Sequence, residues 1–259
     1  MTTTTAIEAS PKPEIGQVTM HEIWTSLKYG LHDFRRAPFY GIFFAAFYAI
    51  LGNILTLIGA GTFLWTLALA LGFPLVAPFA AVGFYEVSRR LEADEPLNRA
   101  EILGVVWSER RRQLPWIGVI LALIFLFWSF FAHMLVALFL GVSSVGNSSL
   151  DAFMATADGR MLLAAQLAVG GAVAFLTYGL TAVSLPLLVD KEIDFVTAMI
   201  ISLKTVNANK LTLGLWALII AVSIFVAMLP AFLGLFIALP ILGHATWHVY
   251  RRALYHPMP

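Results

Sequence analysis

Cysteine is missing altogether from this chain of 259 residues. Its absence excludes disulfides, thiolate-ligated metals, iron–sulfur clusters and covalently attached c-type haem. Charge is nearly as scarce. Asp, Glu, Lys and Arg make up 12% of the residues, against about 25% in a soluble globular protein. The net charge is only +1, so charge balance gives no reason to expect a nucleic-acid partner. No phosphate-binding glycine loop, nucleophile elbow or metalloprotease helix is present. The chain therefore reads as a protein that is not an enzyme and has no cofactor. The polar, Pro-containing start, MTTTTAIEASPKPEIGQ, has no basic segment followed by an apolar core, so it does not read as a cleaved signal. Residues 1–18 are expected to be a disordered cytoplasmic tail, 19–254 a transmembrane domain and 255–259 a short cytoplasmic tail.

What the chain has in abundance is apolar surface. Hydrophobic residues make up 60% of it, too many to be covered by polar groups in water. Crossing a bilayer takes about 20 apolar residues. Six stretches qualify: 38–58, 62–85, 115–140, 161–187, 211–229 and 231–249. Their centres hold no Lys, Arg, Asp or Glu. Taken as one helix, 211–249 would run about 58 Å, far beyond the hydrocarbon core. Pro230 at its midpoint cannot donate a helical hydrogen bond, so two helices in a tight hairpin are expected. Gly59 to Gly61 would form the corresponding turn between the first two spans.

Basic residues set the orientation. Six spans with the N-terminus in the cytoplasm put Lys and Arg overwhelmingly on the inner side, with Arg160 alone outside. Five spans would strand Arg251 and Arg252 outside. The fold class expected is an all-α, multi-pass protein of a bacterial inner membrane, with both termini cytoplasmic.

An internal repeat organises the spans. From Pro78 the chain reads PFAAVGFYEVSRR, and from Pro240 it reads PILGHATWHVYRR. Glu86 and His248 each fall eight residues after the proline, followed by Arg89–Arg90 and Arg251–Arg252. A looser match, PLLVDKEID from Pro186, places Asp190 opposite His244. The unit is read as an amphipathic cytoplasmic helix, a span going out and a Pro-containing span coming back, three times over. In the first amphipathic helix Met20, Ile23, Trp24, Leu27, Leu31 and Phe34 share one face, as in helices that lie flat in an interface. The segments 99–113 and 195–208 are weaker versions. Arg35, Arg36, Arg89, Arg90, Arg251 and Arg252 are expected to anchor to anionic headgroups, each worth about 1 kcal/mol near the surface. Ala164, Ala168 and Ala172, beside Gly171, form a small-residue ridge suited to close helix packing. Pro74, Pro78, Pro186 and Pro240 are expected to kink their helices.

Polar candidates are few. His244 and His248, spaced i, i+4, share a face, where a pair of imidazoles can chelate one metal or meet haem iron. A complete metal site needs further ligands. Superposed repeats would bring Glu86 and Asp190 to a comparable depth, so a cluster of Glu86, Asp190, His244 and His248 at the inner mouth is one expectation. Local structural roles are the alternative. Glu86 is spaced to pair with Arg89 and Arg90. His133, near the outer side, has no evident partner. In the outer loop, Leu150, Phe153, Met154 and Ala157 are spaced for a short amphipathic helix.

The motifs DFRRAPFYGIFF, PFAAVGFYEVSRRLE, LLVDKEIDFVTAMIISLKTVNAN and MLPAFLGLFIALPILGHATWHVYRRAL resemble a bacterial family of predicted integral membrane proteins of unknown function, across about residues 25–254. Some members carry a cytochrome c oxidase-related label. The resemblance implies an inner-membrane protein and supplies no site residues. A catalytic oxidase subunit needs about six histidines for two haems and a copper, and only three lie in spans here. The functional expectation is an accessory or assembly factor of a membrane complex. The alternatives are a small-solute or ion transporter, and a haem or metal binder through His244 and His248.

Overall fold

The computed structural model describes residues 12–57, 80–109, 113–141, 154 and 156–255. The Gly59–Gly61 turn, Pro74, Pro78, most of the 62–85 span, and Leu150 and Phe153 of the outer loop lie outside the described residues.

Helix α1 (Met20–Arg36) starts at a capping box. The Thr19 side chain accepts from the Glu22 amide, and the Glu22 carboxylate accepts from the Thr19 amide. It stops at Ala37 because Pro38 has no amide to donate. Proline suits the first turn of a helix, and it opens α2 (Pro38–Leu57) at 102° to α1. Residues 80–92 form the described part of α3. Then come α4 (Arg99–Glu109), α5 (Leu114–Leu140), α6 (Ala157–Thr181), α7 (Ser184–Asp190), α8 (Phe195–Ala208), α9 (Lys210–Met228) and α10 (Leu235–Ala253). Among the described residues three helical segments are long and apolar enough to cross a membrane: α5, α6 with α7, and α9. The α1–α2 pair, bent by 102°, passes the same test only if its two helices are taken together as one span. The chain is thus an all-α, multi-pass membrane protein.

α10 is the central element, packed against α1, α2, α7 and α9. Its Trp247, Tyr250 and Ala245 are buried, with Trp216 of α9 and Ile23 of α1 among the other fully buried side chains. The α9–α10 hairpin turns through 229–234, where Ala231 and Phe232 take left-handed backbone at φ 49° and 63°. Asn53 of α2 donates to the Ala231 carbonyl at 2.9 Å, which holds this turn against the far end of α2.

The helix leading to Pro186 breaks at residues 182–183. The prolyl nitrogen has no hydrogen for the Ala182 carbonyl, so the ladder is interrupted. Ser202 of α8 repairs the break from outside. Its hydroxyl accepts from the Val183 amide at 3.1 Å and donates to the Gly179 carbonyl at 2.7 Å. Backbone groups left open at a break in a membrane helix need such a neighbour.

Three expectations are corrected. Residues 14–18 are ordered, not part of a disordered tail. Glu14–Ile15 (β1) pairs antiparallel with Leu254–Tyr255 (β2), so Tyr255 likewise belongs to the fold rather than to a tail. The buried Asn209 accepts from the Val18 amide and donates to the Gly16 carbonyl. These bonds tie down a segment whose composition is polar. The Ala164, Ala168 and Ala172 ridge is exposed, and a Cβ on Gly171 would meet nothing within 4 Å. Gly170 makes the close approach instead: its Cβ would stand 2.8 Å from the Trp128 indole. The bulk of Trp128 on α5 demands a hollow, and Gly170 supplies it. Segment 195–208 is amphipathic, as expected: it buries Ala198, Met199, Ile201, Ser202 and Thr205 on one face and leaves Val196, Ile200 and Leu203 exposed.

Candidate functional site

The functional candidates gather where α1, α3 and α10 meet. α1 does not turn its most apolar stripe toward α10. Its buried positions are Ile23, Ser26, Gly30 and Asp33, while Met20 and Trp24 are exposed. A small-residue face allows very close approach: a Cβ on Gly30 would lie 2.5 Å from the Ile241 carbonyl oxygen and 2.6 Å from the Ala245 nitrogen. That proximity carries Asp33, one turn further on, to the α10 histidines.

Asp33 is buried at 4% exposure and organises a hydrogen-bonded chain. Its Oδ2 accepts from Ser88 Oγ at 2.8 Å and lies 2.8 Å from His248 Nε2. Ser88 Oγ also lies 2.8 Å from His244 Nδ1. A hydroxyl has one hydrogen. Ser88 gives it to Asp33, so its oxygen accepts from His244 Nδ1–H. Nε2 of His244, fully buried, then has no hydrogen-bond partner among the described residues. The His244 ring sits edge-on to Phe84 at 5.6 Å between centroids.

The four residues expected to form one cluster are divided among three networks. His244 and His248 join through Ser88 and Asp33. Glu86, only 2% exposed, takes Arg89 at 2.9 Å and Arg90 at 2.6 Å. Asp190 accepts from the Tyr250 hydroxyl at 2.7 Å and lies 3.5 Å from Arg251 Nη1. Arg251 also reaches Glu92, whose other oxygen accepts from the Trp247 indole. His244 Nδ1 and His248 Nε2 are committed to Ser88 and Asp33. Among the described residues no group of three His, Asp or Glu is arranged to hold an ion. Elsewhere, His133 Nδ1 lies 2.7 Å from the Ser129 carbonyl, one turn back on α5.

The two Arg–Arg endings, alike in sequence, have different tasks. Arg89 and Arg90 turn toward carboxylates of their own neighbourhood. Arg89 binds Glu86 and Glu95, and Arg90 binds Glu86, Glu101 and the Pro96 carbonyl. Three carboxylates, Glu86, Glu95 and Glu101, lie within reach of the pair. The Glu95 carboxyl is held below its ordinary range, chiefly by its hydrogen bond from Arg89. Arg252 instead donates to Ser26 and to the His248 carbonyl and lies over the Tyr29 ring. Arg35, Arg36 and Arg251 remain exposed.

Beside the Asp33 chain opens a cavity of about 530 Å³, walled by Arg36, Glu92, His248, Arg251 and Arg252 with Asp33 at its base. Sequence reading missed Asp33 and Ser88. The signal for Asp33 was present in the spacing Ser26, Gly30, Asp33, a small-residue ridge ending in a carboxylate. Ser88 carried no signal of its own.

Residues 66–190 match the family described as "Predicted integral membrane protein (DUF2189)", the kind of family that the motifs resemble. The match takes in the ending at Arg89–Arg90 and stops before the last motif. No curated protein and no solved structure matches the chain.

Proposed function

We propose, on that membrane footing, that the chain is a non-enzymatic, six-span protein of the bacterial inner membrane that accompanies or helps to assemble a larger membrane complex. The observation that carries this reading is the employment of the ionisable side chains. Arg90 links α3 to Glu101 of α4, Asp190 of α7 holds Tyr250 and Arg251 of α10, and Asp33 joins α1 to α3 and α10. Groups committed to joining helices build a rigid platform. They are poorly placed to bind and release a substrate.

The six-span topology, with cytoplasmic termini and a threefold repeat, is part of the same proposal. It is supported by the one-sided distribution of Lys and Arg. It is also supported by the recurring order of a shorter helix, a long helix and a further helical stretch at α1–α3, α4–α7 and α8–α10. A C-terminal reporter that fluoresces only in the cytosol tests the topology, and a dark cell with full-length protein in its membrane rejects it. Purification in mild detergent tests the role, with respiratory complexes the first partners to look for. Stable co-purification supports it. A chain that runs alone, together with a deletion that leaves those complexes intact, rejects it.

Ion-coupled transport is the second reading. The chain from His248 through Asp33 and Ser88 to His244, running from the cavity into the core, favours it. Flux in proteoliposomes that disappears with Asp33→Asn would make it the better account.

A further inference from the structure

We infer that the cavity between α1, α3 and α10 is a binding site for a phosphate-bearing anion, and that a headgroup of an anionic phospholipid fills it in the membrane. Three guanidiniums, Arg36, Arg251 and Arg252, face two carboxylates, Asp33 and Glu92, across about 530 Å³. The carboxylates are already engaged. Asp33 accepts from Ser88 and lies against His248, and Glu92 accepts from Arg251 and Trp247. That leaves Arg36 without a carboxylate partner among the described residues, and Arg252 with no carboxylate in direct contact, only the charge of Glu22 acting on it from further off. Arg252 is held in place by neutral groups, the Ser26 hydroxyl, the His248 carbonyl and the Tyr29 ring. A guanidinium positioned by neutral groups keeps its charge for a ligand. Its planar fork suits the paired oxygens of a phosphate.

The surroundings favour a lipid source. α1, which forms one wall, leaves Met20, Trp24 and Tyr29 exposed, side chains suited to a membrane–water interface. Basic pockets between membrane helices are where phosphorylated headgroups bind. The cavity has space for a phosphoglycerol group, and exposed Tyr29 of α1 is part of its lining.

The test uses the full chain purified in a neutral detergent and examined by native mass spectrometry. Phosphatidylglycerol, phosphatidylcholine and inorganic phosphate are the three probes. One saturable phosphatidylglycerol adduct is expected. Arg36→Gln should weaken it about fivefold and Arg36→Gln with Arg252→Gln about 30-fold, one headgroup-facing charge being removed each time. Arg35→Gln, a neighbour outside the cavity wall, should leave binding unchanged. Arg36 is exposed and makes no side-chain hydrogen bond or ion pair among the described residues, so its single variant keeps the fold and carries the test alone. Arg36-dependent binding of inorganic phosphate in place of phosphatidylglycerol would keep the phosphate site and reject the lipid source. Equal binding of phosphatidylcholine, or Arg36→Gln and Arg35→Gln behaving alike, overturns the site. None of these outcomes depends on whether the chain accompanies a complex.

Discussion

Gly30 of α1 lies so close to Ala245 of α10 that a Cβ on it would stand 2.6 Å from the Ala245 nitrogen and 2.7 Å from its methyl group. Both neighbours belong to the central helix, and the nearest atoms are backbone, which cannot rotate aside. Gly30→Val is therefore expected to push α1 off α10 and to break the Asp33 contacts with Ser88 and His248 together. The cost is about 1–3 kcal/mol or more. A fall in thermal midpoint in detergent, with faster proteolysis near α1, checks it. An unchanged midpoint would mean that the two helices can separate freely.

Ser202 is the only side chain, among the described residues, that bonds to both sides of the α6–α7 break. Ser202→Ala leaves the Val183 amide and the Gly179 carbonyl unmet in a buried setting, at a cost of about 1–3 kcal/mol. Ser202→Thr keeps the hydroxyl and should retain more stability than the alanine variant. Equal loss in both would show that volume, not the hydrogen bonds, matters at this position.

Glu86 and Glu95 both pair with Arg89, yet they differ in surroundings. Glu86 is buried and also faces Arg90, which is 8% exposed. Removing one partner of a buried pair costs about 3–5 kcal/mol, while an exposed pair contributes about 0–1 kcal/mol. Glu86→Ala should lower the thermal midpoint far more than Glu95→Ala. The double variant Glu86→Gln with Arg90→Met should recover part of the loss. Parallel melting curves of the variants decide it.

Asp194 caps α8, and bonds from Thr197, side chain first and backbone next, hold its carboxyl below the ordinary aspartate range. A depressed carboxyl stabilises the fold above its unfolded pKa. That contribution fades as pH falls through the lower, folded value. Loss is therefore expected below about pH 4. Asp194→Asn keeps a capping side chain and removes the titration, so its stability should fall less steeply between pH 5 and pH 3. Chemical denaturation across that range measures the slope.

How much of this was legible in the sequence differs from element to element. The hairpin at Pro230 was readable, because a proline in the middle of a charge-free stretch twice the bilayer's thickness leaves the chain little choice. The Glu86 pairs with Arg89 and Arg90 followed from helical spacing. The role of Asp33 did not. On a helical projection it falls among the polar residues, and only the small face of α1 against α10 turns it inward. Ser202 looked like one more polar residue of an amphipathic helix, and its purpose exists only once α8 reaches the break before Pro186.

The solvent was decided by the sequence alone. Composition alone makes this an integral membrane chain, and the distribution of Lys and Arg argues which side they face, since burying apolar area and keeping charge out of hydrocarbon are sums over residues. Partners beyond the reach of helical spacing were decided only by the tertiary structure. Arg89 and Arg90 repeat in sequence as Arg251 and Arg252, yet both of the first pair meet carboxylates, whereas in the second Arg251 does and Arg252 is held by the Ser26 hydroxyl and the His248 carbonyl beside an open cavity. A charge answers to what lies within a few ångströms, and segments distant in the chain supply that.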